Sequence, residues 1–371
     1  MRELDILIPV GLSFYTLQAF GYVYDVYKRK YAAERNIFKY ALFISFFPTI
    51  ASGPIERGNR LLKQISEKKY LDVDNLRYGL LSFMWGIYLK LVVADNLAIA
   101  VNSVIDHYTE WKGCEIVIAT ILYGIQIYCD FWGYSEMAVG VAKTFGFDII
   151  HNFRAPYLSG SVKEFWRRWH ISLTSWFTDY LYIPLGGNRK GVFRKYVNIM
   201  IVFGVSGLWH GAGLKYLVWG LLNGFYLVVY DIYCKFHKPK PVRNGRYILN
   251  CIGTFLAIDF AWFFFMMPGL SEAVEVLRYT VTNFHISKLF FGGIVAPFDD
   301  KWQLFIFALS MVLITFFDYL EIHKIDFKIM ILKQEAVVRW MFYIFILMTT
   351  IVCGVYGNET GTAVQFIYSQ F

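Results

Sequence analysis

Apolar residues gather along this chain in runs separated by short basic loops. Six runs, Leu76–Ile105, Cys114–Phe145, Tyr216–Cys234, Tyr247–Met267, Leu304–Leu320 and Trp340–Val355, suit helices that cross a membrane, since ~30 Å of hydrocarbon takes about 20 helical residues. Three further runs are too short or too interrupted to cross as plain helices. Phe38–Ile55 is broken at Pro48 and Gly53-Pro54 and has basic loops on both sides; with both loops on one side it dips in and returns. Trp176–Leu185 ends at Pro184, Gly186 and Gly187, and Val197–Leu208 runs into a glycine cluster at Gly204, Gly207, Gly211 and Gly213. Irregular backbone at membrane depth survives only where it is buried in protein or lines a wet cavity. These runs are therefore expected to be re-entrant or broken, with His210 facing a cavity in the protein. The reading is an all-α, polytopic integral membrane protein, a single embedded domain over residues 1–371, with no internal repeat of solenoid length.

Composition agrees. The 371 residues are 57% hydrophobic, 20% aromatic and only 17% charged, against about 25% charged in soluble domains; mean hydropathy is +0.43. The net charge of +8 changes the picture only through its distribution. Basic residues cluster in loops, Lys28–Lys39, Arg57–Lys69, Arg189–Lys195 and Lys235–Arg246, as the positive-inside rule places them on the cytoplasmic side. This pattern points to membrane lipid headgroups as partners and excludes nucleic acid. Five scattered cysteines without C-x-x-C spacing exclude a disulfide framework and a zinc site, and Cys129 reads as a small packing residue. The chain enters an apolar stretch directly after Met1-Arg2-Glu3-Leu4-Asp5, without the pattern of a cleavable signal peptide.

Polar residues embedded among aromatics are densest from Gln126 to Asn188. Most have a plain structural reading. Asp130 and Glu136 pair with a nearby Arg or Lys inside the bundle, Arg167 and Arg168 snorkel to headgroups, and His151 belongs to a loop. His170 follows two arginines and two tryptophans in Phe165-Trp-Arg-Arg-Trp-His170, an interfacial pattern that leaves structural and functional roles equally open. His210, in Trp209-His210-Gly211, favours function: an ionisable group at membrane depth is expensive to keep, and glycine allows close approach of backbone or ligand. Two imidazoles supply a general base and a polarising group for acyl transfer near neutral pH. The other histidines lie in loops or at segment ends with no ligand spacing, so no metal is expected.

At these residues the chain resembles the membrane-bound O-acyltransferase superfamily, in the bacterial branch of the alginate and related polysaccharide O-acetylation membrane subunits. The matching stretches are Pro9-Val-Gly-Leu-Ser-Phe-Tyr-Thr-Leu-Gln18 with Asp25-Val-Tyr27; Gly53-Pro-Ile-Glu-Arg57; Tyr128-Cys-Asp-Phe-Trp-Gly-Tyr-Ser-Glu-Met-Ala-Val-Gly140; and Asn152-Phe153 with Pro156-Tyr157. They continue with Phe165 to Leu173, Tyr180 to Arg189, Ser206-Gly-Leu-Trp-His-Gly-Ala212 and Phe366-Ile-Tyr-Ser-Gln-Phe371. The resemblance implies re-entrant helices around a central catalytic tunnel, His210 as the catalytic histidine and His170 at a second, positioning or polarising site. The stretch Tyr182 to Arg189 favours polysaccharide acetylation over D-alanylation of teichoic acid. Relatives carry further hydrophobic helices before the Pro9 motif, often a His where Asn223 stands, and often an Arg where Met266 stands.

The expected function is bacterial inner-membrane transfer of an acetyl group from cytosolic acetyl-CoA toward an extracytoplasmic polysaccharide hydroxyl. Acetyl-CoA is the donor, no cofactor is bound permanently, and an extracytoplasmic acetyltransferase partner receives the group. Arg167, Arg168 and Arg189 would attract the CoA phosphates. The alternatives are D-alanyl or other acyl transfer to a teichoic-acid-like polymer, and a non-enzymatic transporter or scaffold.

Overall fold

The computed structural model describes residues 11–237, 244–287 and 301–356, and every regular element among them is helical. Pro9 and Val10 of the early motif, part of the Lys235–Arg246 loop and the terminal Phe366–Phe371 motif lie outside the described residues. Among the described residues, six helical stretches are long and apolar enough to cross a membrane: Val73–Ile105, Gly113–Thr144, Leu214–Phe236, Gly245–Met266, Lys301–Ile322 and Ala336–Cys353. They coincide with the six runs read from the sequence. The protein is a multi-pass membrane protein.

The interrupted run Phe38–Ile55 is, as expected, not a span. After α1 (Leu12–Tyr27) it forms two short helices, α2 (Ile37–Ile44) and α3 (Phe47–Ile50), followed by the surface helix α4 (Gly58–Ser66). Asn36 starts α2 by accepting the Phe38 and Lys39 N–H groups, satisfying donors the helix itself leaves unpaired. Pro48 and the irregular Gly53-Pro54 stretch stop the segment from continuing.

The central pair is α5 (Val73–Tyr88), continued through a π-helical stretch at Leu89–Ala94 into α6 (Asp95–Ile105), and the long α7 (Gly113–Thr144). The two cross where glycines remove the side chains. A Cβ on Gly79 would lie 2.5 Å from the Gly140 carbonyl oxygen, and one on Gly86 would lie 2.6 Å from that of Gly133. Small residues let membrane helices approach this closely, where dispersion rather than the hydrophobic effect holds them together. The π stretch carries Lys90, which reaches Asp95 at 2.7 Å and Asp130 of α7 at 2.8 Å. Wide turns of this kind interrupt helices mostly at functional or strained sites.

Helices α8 (Val162–Arg168) and α9 (Ile171–Phe177) are short and meet at His170. A π stretch, Thr178–Tyr182, and turns through Lys190 follow, so the Trp176–Leu185 run is broken as expected. The Val197–Leu208 run departs from expectation. It lies inside one continuous helix, α10 (Val192–Trp209), packed against α11 (Leu214–Phe236). Gly207 is not a break but a contact point: a Cβ there would sit 2.2 Å from the Tyr216 carbonyl oxygen. The chain turns only at Gly211, whose φ of +153° and 2.3 Å approach to the Tyr216 ring leave no room for a side chain.

α12 (Asn244–Met266), α13 (Leu270–Thr282), α14 (Lys301–Ile322), α15 (Phe327–Leu332) and α16 (Ala336–Cys353) complete the bundle. The cross-links sort their ends into two faces. Gln64 bonds the Asp148 carbonyl just past the end of α7, Tyr247 bonds the Leu158 carbonyl, and Lys195 meets Asp231 near the end of α11. With Tyr78 bonded to Asp326, Lys333 lining one cavity with Asp148 and Lys324 another with Arg154, these contacts bring the loops holding Lys28–Lys69, Arg154, Lys195, Lys324 and Lys333 to one face. On the opposite face the Gly113 N–H bonds the Asn283 carbonyl and Lys215 bonds the Met267 carbonyl. By the positive-inside rule the first face is cytoplasmic.

Candidate active site

The sequence placed two histidines 40 residues apart; the fold lines one cavity with both. The cavity holds about 440 Å³ and is walled by α8, α9, α10 and α11, within the usual range for small-molecule sites. On α10 its wall is formed by Lys195, Ile199, Val202, Phe203, Ser206 and His210, positions that recur every three or four residues and so share one helix face. Fifteen residues of helix from Lys195 to His210 span about 22 Å. The cavity is thus a long passage. At its cytoplasmic end stand Lys163, Arg167, Tyr182, Asn188, Lys195 and Asp231; at its inner end stand His170, His210 and Trp219. Between them the wall is mostly aromatic and aliphatic.

His210 closes the C-terminus of α10, its N–H donating to the Gly207 carbonyl at 3.0 Å. Its ring lies among Trp209, Trp219 and Phe265, with centroids 4.8, 5.1 and 5.5 Å away. His170 sits between α8 and α9 with its ring edge-on to Phe131 at 4.6 Å and stacked on Phe14 at 6.4 Å. Each histidine is 2% exposed. The backbone at His170 is left-handed, φ 43° and ψ 54°, a conformation that L-residues other than glycine rarely hold and that concentrates at functional sites.

The three arginines expected to meet an anionic donor fare differently. Arg167 is exposed and lines both the passage and a neighbouring cavity of about 590 Å³ that also holds Arg154 and Lys324. Arg168 is engaged locally, with Glu164 at 2.5 Å and the Leu158 and Ala155 carbonyls at 3.1 and 3.3 Å. Arg189 is exposed in the turn before α10 and is not part of the cavity wall. Asn223 is fully buried and donates to the Trp219 carbonyl one turn earlier at 2.8 Å, so its amide braces α11.

Sequence reading missed the polar gate at the mouth. Lys195 meets Asp231 at 2.6 Å, and the Tyr196 hydroxyl donates to the same carboxylate at 3.0 Å. The signal was present in the spacing of Lys195, Ile199, Val202, Ser206 and His210, but it was hidden while the run was taken as broken. The structural reading of the other acidic residues holds. Asp130 pairs with Lys90, and Glu136 pairs with Lys328 at 2.6 Å, both partners nearly excluded from solvent. Burial works against the Lys328 ammonium, but Glu136 above all, with Tyr78 and Asp326, outweighs it and leaves the group above the ordinary lysine range. His151 stands 3.9 Å from Glu136. Burial lowers its affinity for a proton, a shift that Glu136 opposes.

Comparison with known proteins bears on the same residues. Residues 32–271 match the MBOAT, membrane-bound O-acyltransferase family, a segment containing both histidines. A probable alginate O-acetylase of Pseudomonas putida is 35% identical over 286 residues, covering 76% of this chain and 58% of the relative. A peptidoglycan O-acetyltransferase of Helicobacter pylori is 36% identical, covering 75% of this chain and 57% of the relative. A teichoic acid D-alanyltransferase of Bacillus subtilis is 27% identical, covering 69% and 68%. The chain thus spans little more than half the length of the two O-acetylating relatives.

Proposed function

This chain belongs to the membrane-bound O-acyltransferase family, and from that premise we propose that it moves an acetyl group from cytosolic acetyl-CoA toward an extracytoplasmic polysaccharide hydroxyl in a bacterial inner membrane. The observation that carries the proposal is the passage itself: one cavity connects a polar cytoplasmic mouth to both buried histidines. The thioester arm enters past the Lys195–Asp231 pair and Arg167, and the Arg167 charge attracts the phosphates of the donor. Arg189, on the same face, adds to the field without lining the passage, while Arg168 is neutralised by Glu164.

At the inner end His210 accepts the proton of the attacking hydroxyl as the oxygen forms its bond to the thioester carbonyl carbon. His170 donates a hydrogen bond to the carbonyl oxygen as negative charge develops there. The C–S bond then breaks, and the His210 proton passes to the departing thiolate. Acetyl and proton simply exchange places, so no further reactant is needed. An imidazole base in this role contributes about 10²–10⁴-fold in rate, and the tight aromatic walls exclude water that would hydrolyse the thioester.

His210 lies at the end of α10 remote from the mouth, close to the face that holds Lys215. Donor and acceptor therefore approach from opposite faces. A polymer strand does not fit a passage of about 440 Å³, which favours an extracytoplasmic partner transferase that takes the acetyl group on its own nucleophile and delivers it to the polymer. Acetyl is favoured over D-alanyl because the O-acetylating relatives are 35–36% identical and the D-alanylating one 27%.

The test is acetate incorporation into cell-envelope polysaccharide in cells carrying the native chain, His210→Ala or His170→Ala at matched membrane expression. Loss in both variants is expected. Undiminished acetate with His210→Ala overturns the mechanism, and labelled D-alanine incorporation in place of acetate overturns the donor.

A further inference from the structure

Behind His170, away from the passage, lies a set of buried polar groups that the reaction does not use. It consists of Asn152, Ser172 and the Gly53-Pro54-Ile55 stretch. Two main-chain hydrogen bonds bracket the histidine: the Arg154 N–H donates to the Arg168 carbonyl at 3.0 Å, and the Ile171 N–H donates to the Asn152 carbonyl at 3.0 Å. Residues 152–154 thus run antiparallel beside 168–171, and Trp169 and His170 bow out between the two bonds. The Asn152 side chain adds a third bond, its Oδ1 accepting the Ser172 N–H at 3.2 Å. Ser172 passes the support on, its Oγ accepting the Ile55 N–H at 3.0 Å.

The arrangement solves a capping problem. A helix N-terminus leaves its first N–H groups without intrahelical partners, and the residue at the N-cap commonly supplies its own side-chain acceptor. His170 is the N-cap of α9 and makes no such side-chain bond. Asn152 takes the first two donors of α9 instead, one with its backbone oxygen and one with its side chain. The imidazole is thereby released from capping duty and left to line the passage. The left-handed backbone that turns it there costs on the order of 1–3 kcal/mol and persists only where surrounding structure over-determines it. Asn152, Ser172 and Ile55 are each at most 1% exposed, so no water replaces a bond that is removed.

We propose that Asn152 is a positioning residue for His170: it caps α9 from a neighbouring segment and, through Ser172 and Ile55, fixes the conformation that presents the imidazole to the thioester. This rests on the reading in which His170 acts on the donor carbonyl. It also gives a task to two of the motifs noted in the sequence, Gly53–Arg57 and Asn152-Phe153, neither of which reaches the passage.

The test uses the full chain with two readouts. The first needs no activity: diethyl pyrocarbonate modification of His170 in the purified protein, followed by peptide mapping. The second is the initial rate of labelled-acetate incorporation in inside-out membrane vesicles over a range of acetyl-CoA concentrations. Asn152→Ala is expected to raise His170 modification and to lower the maximal rate about 100-fold, the penalty for roughly 1 Å of misplacement, with KM for acetyl-CoA unchanged. Asn152→Asp keeps an acceptor for the Ser172 N–H and is expected to restore most of the rate. Ser172→Ala cuts the Ile55 link, is expected to show a smaller loss that is not additive with Asn152→Ala, and carries the test if Asn152→Ala fails to accumulate. Native His170 modification together with an undiminished rate in Asn152→Ala and Ser172→Ala overturns the proposal, as does a loss that appears only in KM. Vesicles of the native chain that incorporate no acetate overturn the transferase reading instead, while the modification pattern still decides the clamp.

Discussion

Replacing Gly207 by alanine sets two physical effects against each other. Glycine in a helix interior is worse than alanine by about 0.5–1 kcal/mol, so propensity alone predicts a stabilised α10. The fold predicts the reverse. A Cβ on Gly207 would stand 2.2 Å from the Tyr216 carbonyl oxygen and 2.9 Å from its carbonyl carbon, where ordinary contact begins at 3.4 Å. The shortfall of 3.4 − 2.2 = 1.2 Å is met by backbone on both sides, so no side chain can rotate away. α10 and α11 must part by about that distance three residues before His210. Overpacking of this kind costs about 1–3 kcal/mol, which outweighs the propensity gain. A 1 Å shift at the reacting group lowers the rate about 100-fold. The assay pairs thermal unfolding in one detergent with acetate incorporation in cells at matched expression, and Gly253→Ala is the control because no atom lies within 4 Å of its added Cβ. Gly207→Ala is expected to unfold earlier and to lose activity, while Gly253→Ala matches or exceeds the native chain. A Gly207→Ala protein as stable and active as the native one refutes the reasoning about how α10 meets α11.

Other expectations follow from particular contacts. Lys328→Met leaves Glu136 buried without its cation and is expected to destabilise the fold by about 3–5 kcal/mol, measured by denaturant unfolding, with Glu136→Gln in the same chain recovering most of the loss. Arg167→Ala is expected to raise the KM for acetyl-CoA and to flatten its salt dependence, while Arg189→Ala, away from the cavity wall, changes the KM little. Burial raises Glu56 above the usual carboxylate range against the pull of Arg60. Its folded pKa therefore exceeds the unfolded one, and ionisation destabilises the fold as pH rises through that interval. Glu56→Gln keeps an acceptor for the Ile150 N–H; it is expected to raise the unfolding midpoint at pH 8, and the gain should vanish as the pH falls toward 4.

Hydrophobic run length carried the membrane-spanning helices, because roughly 20 apolar residues leave a helical chain few alternatives in lipid. It failed at Val197–Leu208, where glycines that admit a neighbouring backbone look the same in sequence as glycines that end a helix. That His210 faces a cavity was legible from its glycine-flanked setting. That His170 lines the same cavity was less so, because a left-handed histidine has no local signature and the bonds that hold it come from Asn152 and from Ile55, 117 residues away from Ser172. The arginines read as donor contacts were separated only by the fold, which commits Arg168 to Glu164 and two carbonyls and leaves Arg167 on the passage. Asp130 and Glu136 were correctly given cationic partners, but which cation each would meet depended on tertiary folding.

The Glu136–Lys328 pair also bears on how the protein is made. Its members are 192 residues apart, so a nascent chain inserts α7, with Glu136 in it, long before the ribosome reaches Lys328. Until then the carboxylate sits in a bundle that lacks its counter-ion, and an unpaired acidic residue in a membrane helix is expensive to keep. Lys90 and Asp130 have no such wait, since one is synthesised just before the other and their helices enter as neighbours. The short α15 therefore brings the counter-ion late, with α16 still to follow. Chains released before α15 is synthesised retain both histidines yet leave a charge in the bundle unanswered.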